Sequence, residues 1–169
     1  MSLIVEDGTG KSTAESYISV ADASTYFTAR AVTAWAALAT DALREAALRK
    51  ATEYMTAAYR NRWQGQRTIP TVQALCWPRV GVTVENVYVD STSVPEEIKR
   101  ACAELALKAA TAELNPDLTQ GVISEQVGQI AVTYDKNSPQ RTRYAAIDAL
   151  LLPYLKAGSS GASIGLVRA

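Results

Sequence analysis

Leu43, Ala47, Ala51, Tyr54 and Ala58 recur at steps of three and four between Asp41 and Tyr59. That spacing places them on one face of an α-helix. Leu48, Met55 and Tyr59 lie beside the seam, and Arg49, Lys50 and Glu53 fall on other faces. The alanines let a second helix approach closely. Thr40 is the expected N-cap, with Asp41 beside it at the positive end of the helix dipole. A second stripe, Ile98, Ala101, Cys102, Leu105, Ala109 and Ala112, predicts a helix over Pro95–Leu114. Pro95 suits its first turn and Asn115-Pro116 stops it. Glu96 and Glu97 read as first-turn carboxylates, which favour a helix N-terminus, rather than as an acid/base pair. Two such stripes must cover each other, so the chain is expected to be mainly α, a small helical bundle.

The remaining segments decorate that bundle. Ala21–Arg30 reads as a short helix anchored by Tyr26 and Phe27, and Trp35 and Leu38 as part of another. Ile130, Val132 and Tyr134 alternate with Ala131 and Thr133 behind Gly128, predicting a β-hairpin insertion near residues 122–135. Tyr144, Ile147, Leu150, Leu151 and Tyr154 form a last helix that Pro153 bends or ends. Residues 1–157 are therefore read as the helical domain, opening with a short N-terminal extended segment. Residues 158–169 are read as a flexible C-terminal docking tail. Its hinge is Gly158-Ser159-Ser160-Gly161, and Ile164, Leu166, Val167 and Arg168 are its contact residues.

Chemistry is constrained by what is missing. The chain has no histidine, which removes Ser-His-Asp and Cys-His catalysis and the commonest transition-metal ligand. Cys76 and Cys102 lack metal-type spacing and read as reduced, buried thiols. No catalytic residue, metal site or cofactor is expected. There is no secretory signal and no apolar run of membrane-spanning length, so an origin in the cytoplasm is expected.

The segment EDGTGKSTAES, residues 6–16, ends like a nucleotide-binding loop at Gly10-Lys11-Ser12. Such a loop opens with a glycine five residues earlier, and here that position is Val5. An extended piece, Glu15–Val20, follows in place of a helix. The expectation is a Gly-rich hairpin turn between two short strands.

Arg60, Arg62, Arg67 and Arg79 are interleaved with Trp63 and Trp77 in a connection without lasting period. That pattern serves a single-stranded nucleic-acid platform or a protein interface. Lys plus Arg and Asp plus Glu are 17 each, and this zero net charge favours the interface. Trp63, Arg67, Trp77 and Arg79 are therefore partner-contact candidates.

The segments VEDGTG, AESYISVADASTYF, AALRKATEYM, WQGQR, ALCWPRVGV, VPEEIKRACAELAL, SEQVGQIAVTYD and YAAIDALLLPYL follow one another along nearly the whole chain. In this order they resemble a family of small tailed-phage proteins labelled DnaT-like single-stranded-DNA-binding proteins. The last three also resemble the helical head-to-tail connector, or adaptor, proteins of long-tailed phages. The adaptor resemblance implies a structural virion protein of the neck region, made in the host cytoplasm. It would form a ring of twelve copies beneath the portal protein and above a stopper or tail-completion protein. Double-stranded DNA would pass through its channel without specific contact. The DnaT-like label implies single-stranded DNA as partner instead. The sequence places the adaptor first, on its alanine-rich helices, hairpin and apolar tail.

Overall fold

The computed structural model describes residues 2–116, 124–127, 130–133 and 142–156, the two four-residue segments by backbone alone. The tail residues Ile164, Leu166, Val167 and Arg168 lie outside the described residues. Five α-helices run α1 Val20–Thr28, α2 Thr33–Ala36, α3 Asp41–Tyr59, α4 Glu96–Ala109 and α5 Ala145–Leu151, and α5 passes into a 3-10 turn, Leu152–Tyr154. Three two-stranded antiparallel pairs join them: β1 Gln66–Arg67 with β2 Arg79–Val80, β3 Thr83–Val84 with β4 Val87–Tyr88, and β5 Ser124–Val127 with β6 Ile130–Thr133. The last pair, with Glu125 opposite Val132, is the expected hairpin insertion. The mainly helical class is as expected.

Helix α3 starts where its sequence predicts: the Thr40 hydroxyl accepts from Leu43 N at 3.3 Å. Its buried face is rotated from the expected seam. Ala47 and Ala51 of that seam are buried together with Leu48, Thr52, Met55 and Tyr59, while Leu43 is 52% exposed and Ala58 faces water. The alanines tie both faces in apolar character, and the larger Leu48 and Met55 decide which one packs. On α4, Ile98, Ala101, Cys102, Leu105 and Ala109 are buried as expected. The helix ends at Ala109, five residues before the expected Leu114. Thr111 N and Ala112 N both turn back onto Lys108 O at 3.1 and 3.0 Å. That turn leaves Ala112 exposed and Leu114 buried.

Phe27 and Trp35 stack with centroids 5.1 Å apart, closing α1 over α2. Beneath the connection that follows α3, Tyr59, Trp63, Trp77 and Tyr154 form a continuous aromatic run with successive centroids 5.8, 5.8 and 5.6 Å apart. The chain's far end is clamped there. Gln64 N donates to Tyr154 O at 3.0 Å, Lys156 N to Arg62 O at 2.8 Å, and the Gln64 amide to Pro153 O at 2.8 Å.

Candidate nucleic-acid interface

From Tyr54 to Val84 the chain carries four arginines, Arg60, Arg62, Arg67 and Arg79, and no Asp or Glu. Arg79 anchors the region. It is 7% exposed, and its guanidinium donates to three main-chain carbonyls: Gln64 O at 2.6 Å, Gly65 O at 2.8 Å and Cys76 O at 3.0 Å. Burial pulls its pKa below the usual arginine value, yet a guanidinium keeps its proton at any ordinary pH. The result is a buried positive charge with no carboxylate in contact among the described residues. Buried charges are ordinarily paired.

Around Arg79 the loop between β1 and β2 is held by the buried Gln73 amide. Gln73 takes Ile69 N at 2.9 Å and donates to Leu75 O and Pro78 O at 2.9 and 3.1 Å. Arg67, opposite Arg79 in the strand register, spends one nitrogen on Gln73 O at 3.1 Å. Arg60, just past α3, is exposed. Arg60, Arg67 and Arg79 converge on a cleft of about 360 Å³ that no carboxylate lines among the described residues. Gly65 lies in its wall at φ +58°, and a Cβ there would overlap Val80 O. No side chain can therefore stand at that position. Cys76 also borders the cleft, and burial pushes its thiol above the usual range, away from nucleophilic chemistry.

A larger groove of about 1390 Å³ lies between the C-terminal half of α3, the turn after α4 and the start of α5. Tyr54 and Tyr144 meet in it edge to face, with centroids 5.6 Å apart. Among the described residues its charges cancel: Lys50, Arg62 and Arg143 stand with Glu53, Glu113 and Asp148. A polyanion gains little there, so the smaller cleft is the stronger site.

The partner-contact candidates separate accordingly. Arg67 and Arg79 belong to the cleft. Trp63 and Trp77 do not: at 1% and 0% exposure they are core, crossing at 90°, with no ring face offered outward. Composition cannot tell a buried tryptophan from an interfacial one, and packing under Gln64 and Tyr154 makes the difference. Arg60, part of the Arg/Trp pattern but not among the partner-contact candidates, shares the cleft, and the absence of acid residues around it was a readable signal. Tyr88 on β4 is 81% exposed, which no pattern announced.

The Gly-Lys-Ser loop also differs from expectation. Val5 and Ser16 form a parallel bridge, so residues 6–16 make a closed loop and not a hairpin. At its centre the buried Glu6 carboxylate accepts Gly8 N and Gly10 N at 2.9 Å and Lys11 N at 2.8 Å. Those donors form a nest suited to a phosphate, and the chain's own carboxylate fills it. Lys11 is turned away, onto Val5 O at 3.0 Å and Asp7 at 2.8 Å. Gly8, at φ +104°, lies so close to Thr92 O that any Cβ would overlap it. The loop is thus docked against the segment that leads into α4.

No significant match was found among curated proteins or among solved structures. One family model matches residues 1–169, the full length given, so the chain belongs to the family described as "Putative DnaT-like ssDNA binding protein".

Proposed function

We propose that the protein binds single-stranded DNA without sequence preference, by phosphate contacts at Arg60 and Arg67 in the field of the buried Arg79. It acts as a binding module and not as a catalyst. The observation that carries this is the arginine cleft, free of carboxylates among the described residues; the family description supports it. The sequence favoured the adaptor on its alanine-rich helices, hairpin and apolar tail, and its zero net charge counted against a single-strand platform. Net charge is a whole-molecule sum, and here the acids are segregated from the 54–84 stretch. Few phosphate contacts make binding weak and salt-sensitive, with a log–log slope of roughly −0.7 per contact on a single strand. Fluorescence anisotropy with a labelled oligo(dT) at two salt concentrations tests it. Salt-dependent binding that Arg60→Ala/Arg67→Ala weakens is expected, and binding indifferent to that double substitution refutes it.

A second reading keeps the adaptor ring of a phage neck, with portal and tail-completion proteins as partners and duplex DNA in the channel. What favours it is an exposed apolar hairpin: Val87 is 67% and Tyr88 81% exposed on β4, as a subunit contact would require. Sedimentation at increasing protein concentration tests it. A monomer throughout, together with absence from purified virions by mass spectrometry, rules it out.

A further inference from the structure

Single strands are held by two kinds of contact, cations on the phosphates and aromatic faces against the bases. The arginine cleft supplies only the first, and the tryptophans beneath it are sealed in the core. Tyr88 is the described aromatic side chain that stands furthest into water.

Its setting is ordered. β3 and β4 pair through Thr83–Tyr88 and Val84–Val87. The turn between them, Glu85-Asn86, has φ of 50° and 65°, the left-handed two-residue turn that suits a tight hairpin. The hairpin is tied to the cleft's own strand. Thr68, the residue after Arg67, donates through its hydroxyl to Ser91 O at 3.1 Å. Tyr88 precedes Ser91 by three residues, a backbone reach of at most about 10 Å. The ring is thus held within a few nucleotides' span of Arg67. Two acids lie near it. Glu85 is in the turn, and Asp90 directs its carboxylate onto Thr92 N and its hydroxyl at 2.9 and 2.8 Å.

We propose that Tyr88 is the base platform of this interface, stacking one base of a strand whose phosphates lie against Arg60 and Arg67. The inference rests on the single-strand reading above. The ligand class it names is an unpaired nucleobase; a duplex, whose bases are already stacked, gains nothing from it.

The test uses the full chain, a 20-nucleotide oligo(dT) and an abasic oligomer of the same length. Wild type should bind oligo(dT) more tightly than the abasic strand. Tyr88→Ala should weaken oligo(dT) binding about tenfold and leave abasic binding unchanged. Tyr88→Trp should restore it, with tryptophan emission quenched by oligo(dT) and not by the abasic strand. The melting temperature should not move in either variant, because the side chain packs on little. If Tyr88→Ala binds oligo(dT) like wild type while Arg60→Ala/Arg67→Ala weakens both ligands, the platform is wrong and the DNA-binding function stands. If Tyr88→Ala leaves DNA binding intact and instead dissolves an oligomer seen by sedimentation, the hairpin is a protein contact and the platform is likewise overturned. If wild type binds neither oligomer, the function fails and the platform with it.

Discussion

Glu6→Ala is the most direct perturbation of the N-terminal loop. The Glu6 carboxylate is 1% exposed and accepts three main-chain N–H groups, two of them in buried bonds and that from Lys11 in a half-buried one. Removing it leaves those donors facing each other with no acceptor. A buried unsatisfied donor costs about 1–3 kcal/mol, so the loss should be on the order of 3–6 kcal/mol. With a urea m-value of roughly 2 kcal/mol per molar, the unfolding midpoint should fall by about 2 M. Glu6→Gln keeps one oxygen but turns an amide NH2 toward a donor, and should lose about half as much. The emptied nest has a further consequence. In Glu6→Ala, inorganic phosphate can take the carboxylate's place and restore stability by mass action. In wild type it should add only the general salting-out effect, which the comparison subtracts. Urea titrations with and without phosphate read both effects. A Glu6→Ala loss under 1 kcal/mol would refute the nest as the organiser of this loop, as would an equal phosphate response in the two proteins.

Leu105→Ala, at a fully buried position, should destabilise by about 2–5 kcal/mol in thermal unfolding, while the exposed Glu53→Ala should cost far less. Arg79→Ala strips three carbonyls of their donor and should both lower the melting temperature and abolish oligo(dT) binding. The Tyr154 hydroxyl bond, 2.7 Å to Glu97, lowers the Glu97 pKa, so its contribution is present above pH ~4.3 and fades as pH falls through the folded value. Burial first, then the bonds to Asp148 and Glu97, raise Tyr59 and Tyr154. Their contribution is full below pH ~10 and is lost as pH rises toward the folded values, which tyrosinate absorbance against unfolding would follow.

Much of the architecture was legible because helical period and capping are local. Asp41–Tyr59 and its Thr40 cap need no tertiary information. The choice of buried face did, since alanine occupies both sides and only the partner helix ranks them. The tryptophans were expected at a partner surface and lie in the core, because apolarity does not say which way a ring packs. Arg79 was legible as a candidate, but its role was not. Its partners are main-chain carbonyls, which every residue carries and no pattern reveals. Glu6 escaped for the same reason in reverse: a carboxylate accepting from its own loop looks like any surface acid. Tyr88 could have been found only as the residue opposite Thr83 across a tight turn.

The clamp between the middle of the chain and its far end bears on the order in which the protein can be assembled during synthesis. Tyr59 bonds Asp148 across a separation of 89 residues, Gln64 bonds Leu155 across 91, and Lys156 bonds Asn61 across 95. Helices α3 and α4 can pair once Ala109 has left the ribosome, but Trp63 and Trp77 gain the cover of Tyr154 only when the last third has followed. At roughly 5–20 residues per second, the indoles wait on the order of ten seconds with one flank open to water. During that interval the nascent chain presents its largest apolar rings to whatever holds unfinished chains. A stop codon anywhere before Tyr154 would make that exposure permanent.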